Sequence, residues 1–295
     1  MGVFLALALV VAYVESLIPI SFGIPGVKIG LTNIVILLVL YCLGTKEAFI
    51  ISALRAVLAG FLFGNMFGII YSLAGAMLSL FCMYLFKRVF NFRMITVSVI
   101  GGITHNLGQI IIASLVVENY HVMYYFPVLV LSGVVTGIII GMVAFEIYKR
   151  IGRLFLRVDP DNNDENRKKV LQHKLRYDII AIIVMILLSV ILVFVFLPAF
   201  SKDGDKFKIL VDGEVYGEYP LDKDNSYEVE IGGTVSNVVT VKDGQVYMSE
   251  ADCPDKICVS HRPISKKNES IICLPNKVVV EVVTGEDSGL DTIAR

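Results

Sequence analysis

Three of the five cysteines of this 295-residue chain gather near its C-terminus. They lie in Asp252-Cys253-Pro254-Asp255-Lys256-Ile257-Cys258 and Cys273-Leu274-Pro275-Asn276-Lys277, with His261 between the two stretches. Three thiols and an imidazole are a donor set that can hold zinc, or a set that oxidises to a disulfide in an oxidising compartment. Four residues separate Cys253 from Cys258, which is loose for a zinc knuckle. We therefore expect a disulfide and no metal, closing either Cys253 to Cys258 or Cys258 to Cys273. The third thiol is then buried, or exchanges with the disulfide in redox chemistry. A loop of about 15 residues, as between Cys258 and Cys273, contributes roughly 3 kcal/mol in the chain-entropy model. Cys42 and Cys82 lie inside apolar runs and read as small buried hydrophobes.

A second set of polar side chains interrupts long apolar segments: Glu15, Asn33, Arg55, Asn65, His105, Asn106 and Gln109. Such groups are costly in lipid, so they face the interior of a helix bundle and are candidates to bind a small-molecule ligand. Glu15 and Arg55 form the natural ion pair, since either alone would be uncompensated. In Thr104-His105-Asn106-Leu107-Gly108-Gln109 three hydrogen-bonding groups crowd one helix just after Gly101-Gly102. Glycines at Gly60/Gly64/Gly68 and Gly133/Gly137/Gly141 recur every fourth residue and read as packing faces. No catalytic residues are assigned, and an enzymatic role is not expected.

The elements that must position these groups follow from composition. With 56% hydrophobic residues, 18% charged and a mean hydropathy of +0.73, the chain has more apolar surface than a soluble core can hide. The near balance of 26 Lys+Arg against 27 Asp+Glu excludes a nucleic-acid binder, which needs a concentrated basic face. Seven segments have the length and apolarity of membrane helices: Val3 to Ile18, Ile29 to Leu43, Ala48 to Phe63, Phe67 to Phe86, Ile95 to Val117, Pro127 to Ile147 and Ile179 to Leu197. The first has no basic residue before it and no small-residue cleavage site after it, so it reads as a span and not as a signal peptide. Basic residues stay on the cytoplasmic side. Lys46, the group Lys87, Arg88 and Arg93, and the run from Lys149 to Arg176 all fall inside if the N-terminus is cytoplasmic, which leaves the loop Ser21 to Val27 outside.

The expected plan is a membrane all-α six-helix bundle over 1–152, a basic cytoplasmic linker over 153–177, a further transmembrane helix over 178–198, and a small extracytoplasmic all-β domain over 199–295. Pro160 and the polar stretch Asp159 to Asn166 make the linker a solvated turn. In the tail, alternating residues flank Asp212-Gly213 and Asp243-Gly244, two hairpin signals. Tyr227 to Ile231, Ser270 to Leu274 and Lys277 to Val283 add strands, suggesting an antiparallel sandwich or barrel of roughly 85 residues whose small core benefits from a covalent staple.

Over roughly Met1 to Gly152, Gly30-Leu31-Thr32-Asn33-Ile34, Tyr71-Ser72-Leu73-Ala74-Gly75-Ala76 and His105-Asn106-Leu107-Gly108-Gln109 give a sequence that resembles the Gx transporter family, long labelled component I of heptaprenyl diphosphate synthase. That family looks like the six-helix substrate-binding subunits (S components) of energy-coupling-factor (ECF) transporters. Over roughly Phe207 to Ala294, Cys253-Pro254-Asp255-Lys256-Ile257-Cys258 and Cys273-Leu274-Pro275-Asn276-Lys277-Val278-Val279-Val280-Glu281 resemble the NusG domain II family. Ser260-His261-Arg262-Pro263 departs from that family's usual turn after the second cysteine. The resemblance implies a transport subunit linked to extracellular electron transfer, with flavin or quinone as possible cofactors and separate ATPase subunits or electron-transfer proteins as partners. An alternative is a membrane redox subunit passing electrons from quinol outward. The membrane part has no aspartate-rich cluster to hold magnesium on a diphosphate, so the prenyl-synthase label implies a non-catalytic component.

Overall fold

The computed structural model describes residues 1–17, 30–63, 66–155, 165–196, 202–254 and 256–284. The helices are α1 Gly2–Leu17, α2 Thr32–Cys42, α3 Thr45–Phe63, α4 Met66–Arg88, α5 Met94–Val116, α6 Phe126–Phe155 and α7 Glu165–Phe196, with a 3₁₀ turn at Tyr120–Tyr125. The strands are β1 Lys206–Val211, β2 Glu214–Pro220, β3 Asn225–Ile231, β4 Thr234–Lys242, β5 Gln245–Ala251, β6 Ser270–Cys273 and β7 Val278–Val283. Among the described residues, four segments are long and apolar enough to cross a bilayer: Met66–Arg88, Met94–Val116, His121–Arg150 and Leu175–Phe196. These make the chain a multi-pass membrane protein.

Two expectations change. The span read over Ile29 to Leu43 is a helix of 11 residues. At 1.5 Å per residue that is about 16 Å, roughly half of a hydrocarbon core. It stops because the Leu43 and Gly44 N–H groups both close on the Val39 carbonyl, with Gly44 at a φ of +132° that ends the helix. The linker is also more helical than its composition suggested. Helix α6 runs to Phe155 and α7 begins at Glu165, because the Glu, Lys, Arg, Leu and Gln that dominate 165–177 are good helix formers. Asn65, Gly64, the loop Ser21 to Val27 and most of the Asp159 to Asn166 stretch lie outside the described residues.

The chain divides into two compact units. The first takes in Met1–Pro19, Lys28–Gln109 and Pro127–Leu192. Within it, α5 meets α6 backbone to backbone. A Cβ at Gly137 would lie 2.6 Å from Val99 Cα, one at Gly141 2.8 Å from Ile95 Cα, and one at Gly133 2.9 Å from the Gly102 carbonyl carbon. On its other side α5 meets α4 as closely, a Cβ at Gly108 falling 2.9 Å from the Ala74 oxygen. The Gly133/Gly137/Gly141 face packs as its spacing implied. Gly60 and Gly68 do not share a face, because α3 ends at Phe63 and α4 starts at Met66. Helix α7 is covered over only 6% of its apolar window, as expected for a helix clothed in lipid. Its buried Asp178 accepts hydrogen bonds from the Arg93 N–H at 2.9 Å and the Thr96 hydroxyl at 2.7 Å, capping the start of α5.

The second unit takes in Ile20–Val27, Ile110–Phe126 and Val193–Arg295. Its strands form two antiparallel sheets, ordered β2-β1-β7-β6 and β3-β4-β5. Asp212-Gly213 and Asp243-Gly244 have positive φ at both positions, the hairpin turn their sequence called for. Phe207, Ile209, Val229, Val239, Val241, Met248, Val278, Val280 and Val282 build the core between the sheets. All six residues of β7 are buried. One face of β7 is that core, and Glu281 on the other accepts from Asn119 Nδ2 at 3.3 Å and pairs with His121 Nδ1 at 2.7 Å. The edge of β6 is closed by Tyr125, whose hydroxyl accepts from the Ser270 N–H at 2.8 Å and donates to the Ser270 carbonyl at 2.9 Å.

Replacing Tyr125 by Phe leaves both main-chain groups of Ser270 without a partner, and we expect a loss of about 1–3 kcal/mol, read as a lower melting temperature in detergent. Gly137→Leu forces α5 from α6 and costs a similar amount, of order 1–3 kcal/mol. Gly2→Ala, with nothing within 4 Å of its new Cβ, leaves the melt unchanged.

Candidate functional site

The three clustered cysteines come from separate local structures. Cys253 follows β5, Cys258 lies in the turns after it, and Cys273 ends β6. All three are 2–3% exposed and belong to the core of the β domain. Their Sγ atoms lie within 4.8 Å of one another, with Cys253 Sγ 3.5 Å from Cys258 Sγ. All three are free thiols here. His261 is not part of this group among the described residues. It is buried, its Nδ1 lies 2.7 Å from the Arg262 carbonyl, and its Nε2 has no hydrogen-bond partner.

Two proline-containing turns organise the sulfurs in the same way. The Lys256 N–H donates to Cys253 Sγ and the Asn276 N–H to Cys273 Sγ, each from three residues further along the chain. Lys256 and Lys277 take left-handed backbone angles, φ +47° and +51°, as the turns close. Asn276 ties the pieces together: its Nδ2 donates to the Ser236 carbonyl at 3.2 Å, to Asn237 Oδ1 at 2.8 Å and to Asp252 Oδ1 at 2.6 Å. With its oxygen so engaged, the buried Asn237 amide turns its NH₂ toward sulfur, at 3.3 Å from Met248 Sδ and bonded to Cys273.

These contacts separate the thiols chemically. The hydrogen bond from the Cys258 thiol, the Asn276 N–H and the Asn237 amide pull the Cys273 thiol down to about 6. Cys253 is pushed up to about 11, chiefly by burial, and Cys258 is pushed up by donating to Cys273 and by burial. Of the three thiols, Cys273 is therefore the one whose thiolate its neighbours favour. Neither Asn237 nor Met248 was singled out from the sequence. The available signal was an amide at an inward position of an apolar strand, which means little until the strand's neighbours are known.

In the membrane part the candidate residues divide among several settings. Glu15 caps α2: its Oε1 accepts from the Gly30 N–H at 2.6 Å, and its Oε2 from the Thr32 N–H at 3.4 Å and hydroxyl at 3.1 Å. Asn33 belongs to the same helix start, its Nδ2 beside Gly30. No Glu15–Arg55 bridge is present among the described ion pairs, although the Glu15 charge acts on Arg55; the carboxylate is held by the helix end instead. Arg55 Nε is buried with no hydrogen-bond partner. His105 and Gln109 come together at Gly75 of α4, where an added Cβ would meet Gln109 Cγ at 2.8 Å and His105 Cε1 at 3.1 Å. Asn106 faces the other way, donating to the Leu129 carbonyl at 2.7 Å and to Ser132 at 3.3 Å on α6.

Residues 4–147 match the family model described as heptaprenyl diphosphate synthase component I, and residues 180–286 match NusG domain II. A crystal structure of a DUF1312 family protein from Ruminococcus gnavus is 49% identical over 26% of this chain and 96% of its own, with a TM-score of 0.24. The Lin0431 protein from Listeria innocua is 28% identical in its crystal structure, over 27% of this chain and 95% of its own, TM-score 0.26. In its solution structure it is 26% identical over 31% and 82%, TM-score 0.27. No curated protein matches the chain.

The thiol assignments set a pH dependence. Cys273 has a folded value of about 6 against an ordinary 9.0, so its contribution to stability is full above 9.0 and is lost as pH falls toward 6. Burial lowers His261 below its ordinary 6.5, so its contribution is also present above 6.5 and lost below it. We expect the melting temperature of the reduced protein to fall as pH drops from 9 to below 6, and Cys273→Ser to flatten the upper part of that curve. Thiolate ultraviolet absorbance at neutral pH should disappear in the same variant and weaken in Asn237→Ala.

Proposed function

The chain joins a membrane module of the heptaprenyl diphosphate synthase component I family to a tail of the NusG domain II family, and on that premise we propose that it is a small-molecule binding subunit for transport, with an extracytoplasmic accessory domain. The observation that carries this reading is Arg55. A guanidinium in the middle of an apolar helix keeps a buried Nε without an acceptor, while Glu15, the carboxylate whose charge acts on it, is held at the N-terminus of α2. A buried donor left unsatisfied costs about 1–3 kcal/mol, which an acceptor oxygen on a ligand would recover. His105 and Gln109, both on α5, are additional polar groups, and Asn33, Asn65 and Asn106 complete the candidate set.

The proposed orientation has a cytoplasmic N-terminus and the β domain outside. The basic residues at Lys46, Lys87, Arg88, Arg93 and Lys149 support it. So does the contact of Asn119, His121 and Tyr125 with β6 and β7, since the connection between α5 and α6 then lies on the same side as the β domain. No phosphate-binding motif of the G-x-x-x-x-G-K-[ST] type occurs, so active transport would draw on separate ATPase subunits. The proposed link to flavin- or quinone-dependent electron transfer outside the cell is carried by the resemblance of the two modules.

Mass spectrometry of the protein purified from native membranes tests the reading. We expect a small molecule bearing an anionic or carbonyl oxygen to co-purify with the wild type, to be retained in part by Arg55→Lys and to be absent from Arg55→Ala. Co-purification of an ATPase pair extends the result to transport, whereas a flavin or quinone absorbance turns it toward electron transfer. Identical, ligand-free preparations of wild type and Arg55→Ala would sink it.

A further inference from the structure

The three sulfurs of the β domain have the arrangement of a metal site built before the metal arrives. A cation bonded to three thiolates at about 2.3 Å in one plane sets the sulfurs about 4 Å apart. The observed cluster, with one separation of 3.5 Å and every separation within 4.8 Å, brackets that value. A disulfide needs only two sulfurs, so the convergence of the third requires another explanation. The surroundings supply one. Two backbone N–H groups, from Lys256 and Asn276, and the Asn237 amide point at sulfur, the hydrogen bonding that favours thiolates and orients the ligands of a metal. Asn276 fixes Asn237 in that orientation and binds the cysteine-bearing turns to β4.

The donor set also selects the ion. No fourth His, Cys, Asp or Glu joins the three sulfurs among the described residues, and the site is buried in an apolar core. Structural zinc is almost always four-coordinate, whereas Cu(I) is a soft ion selected by thiolates and needs no fourth ligand. We infer that Cys253, Cys258 and Cys273 bind one Cu(I) ion per chain. Three Cu–S bonds form, the thiols that are still protonated release their protons to solvent, and the copper does not change oxidation state. This inference is independent of the ligand proposed for the membrane part.

The test is anaerobic titration of the reduced full-length protein in detergent with Cu(I) buffered by a competing chromophoric chelator. We expect uptake of one ion per chain, unchanged in Cys42→Ser and Cys82→Ser, lost in Cys253→Ser, Cys258→Ser and Cys273→Ser, and about 10–100-fold weaker in Asn237→Ala. X-ray absorption of the copper-loaded wild type guards against variants that fail to fold, and should show a shell of three sulfurs. Any of three results overturns the inference: no Cu(I) uptake by reduced wild type, Zn(II) bound in its place, or a copper shell of other than three sulfurs. Protein from native membranes with a mass lower by two hydrogens, and no uptake after reduction, would assign the cysteines to a disulfide.

Discussion

The backbone contact of α5 with the helices on either side of it governs the membrane part. Between helices in lipid there is little hydrophobic gain, so association depends on close packing and hydrogen bonds, and glycine permits the closest approach. Gly102 meets Gly133, while Gly137 and Gly141 meet Val99 and Ile95; on the opposite side Gly108 meets Ala74. Fixing α5 on two sides fixes the direction of every side chain it carries. At 100° per residue, neighbours such as His105 and Asn106 must diverge, and they do, toward α4 and α6 respectively.

The second constraint is that polar groups in lipid need partners inside the protein. This accounts for Glu15, Lys87 and Asp178 in the helical region. Glu15 satisfies the start of the half-length α2, and Lys87 donates at 2.6 Å to the Leu40 carbonyl near its other end while lying 4.3 Å above the Tyr41 ring. Asp178 does the same for the start of α5. A helix end in apolar surroundings is costly without such groups, and α2 has one at each end. Arg55 stands apart because its buried nitrogen answers no helix end.

In the β domain the scarce resource is core volume. Two small sheets share one apolar interior, and three thiols and a network of two asparagines occupy part of it. Buried polar atoms in so small a domain are costly without partners, and Asn276, with three acceptors on one amide nitrogen, supplies a partner to two turns and a strand. The other side of β7 follows the same rule, with Glu281 buried against Asn119 and His121.

Much of this was legible in the sequence. Hydropathy located seven helices in order, Asp-Gly pairs located two hairpins, and the cysteine motifs marked the chemically interesting turns, because each of these signals is local: it depends on residues a few positions apart. What the sequence alone misread was non-local. Glu15 and Arg55 looked like partners, but the carboxylate lies nearer the free N–H groups of α2, which no spacing rule reveals. The polar run at 104–109 read as three groups crowding one helix, and it does lie on α5, but His105 and Gln109 turn toward α4 and Asn106 toward α6. For the three cysteines the sequence left open which of them meet, and the structure brings all three sulfurs together with Asn237 and Asn276 around them. Residue types and spacing determined which groups were available for chemistry. Only the tertiary structure decided which of them meet, because that depends on packing between segments far apart in the chain.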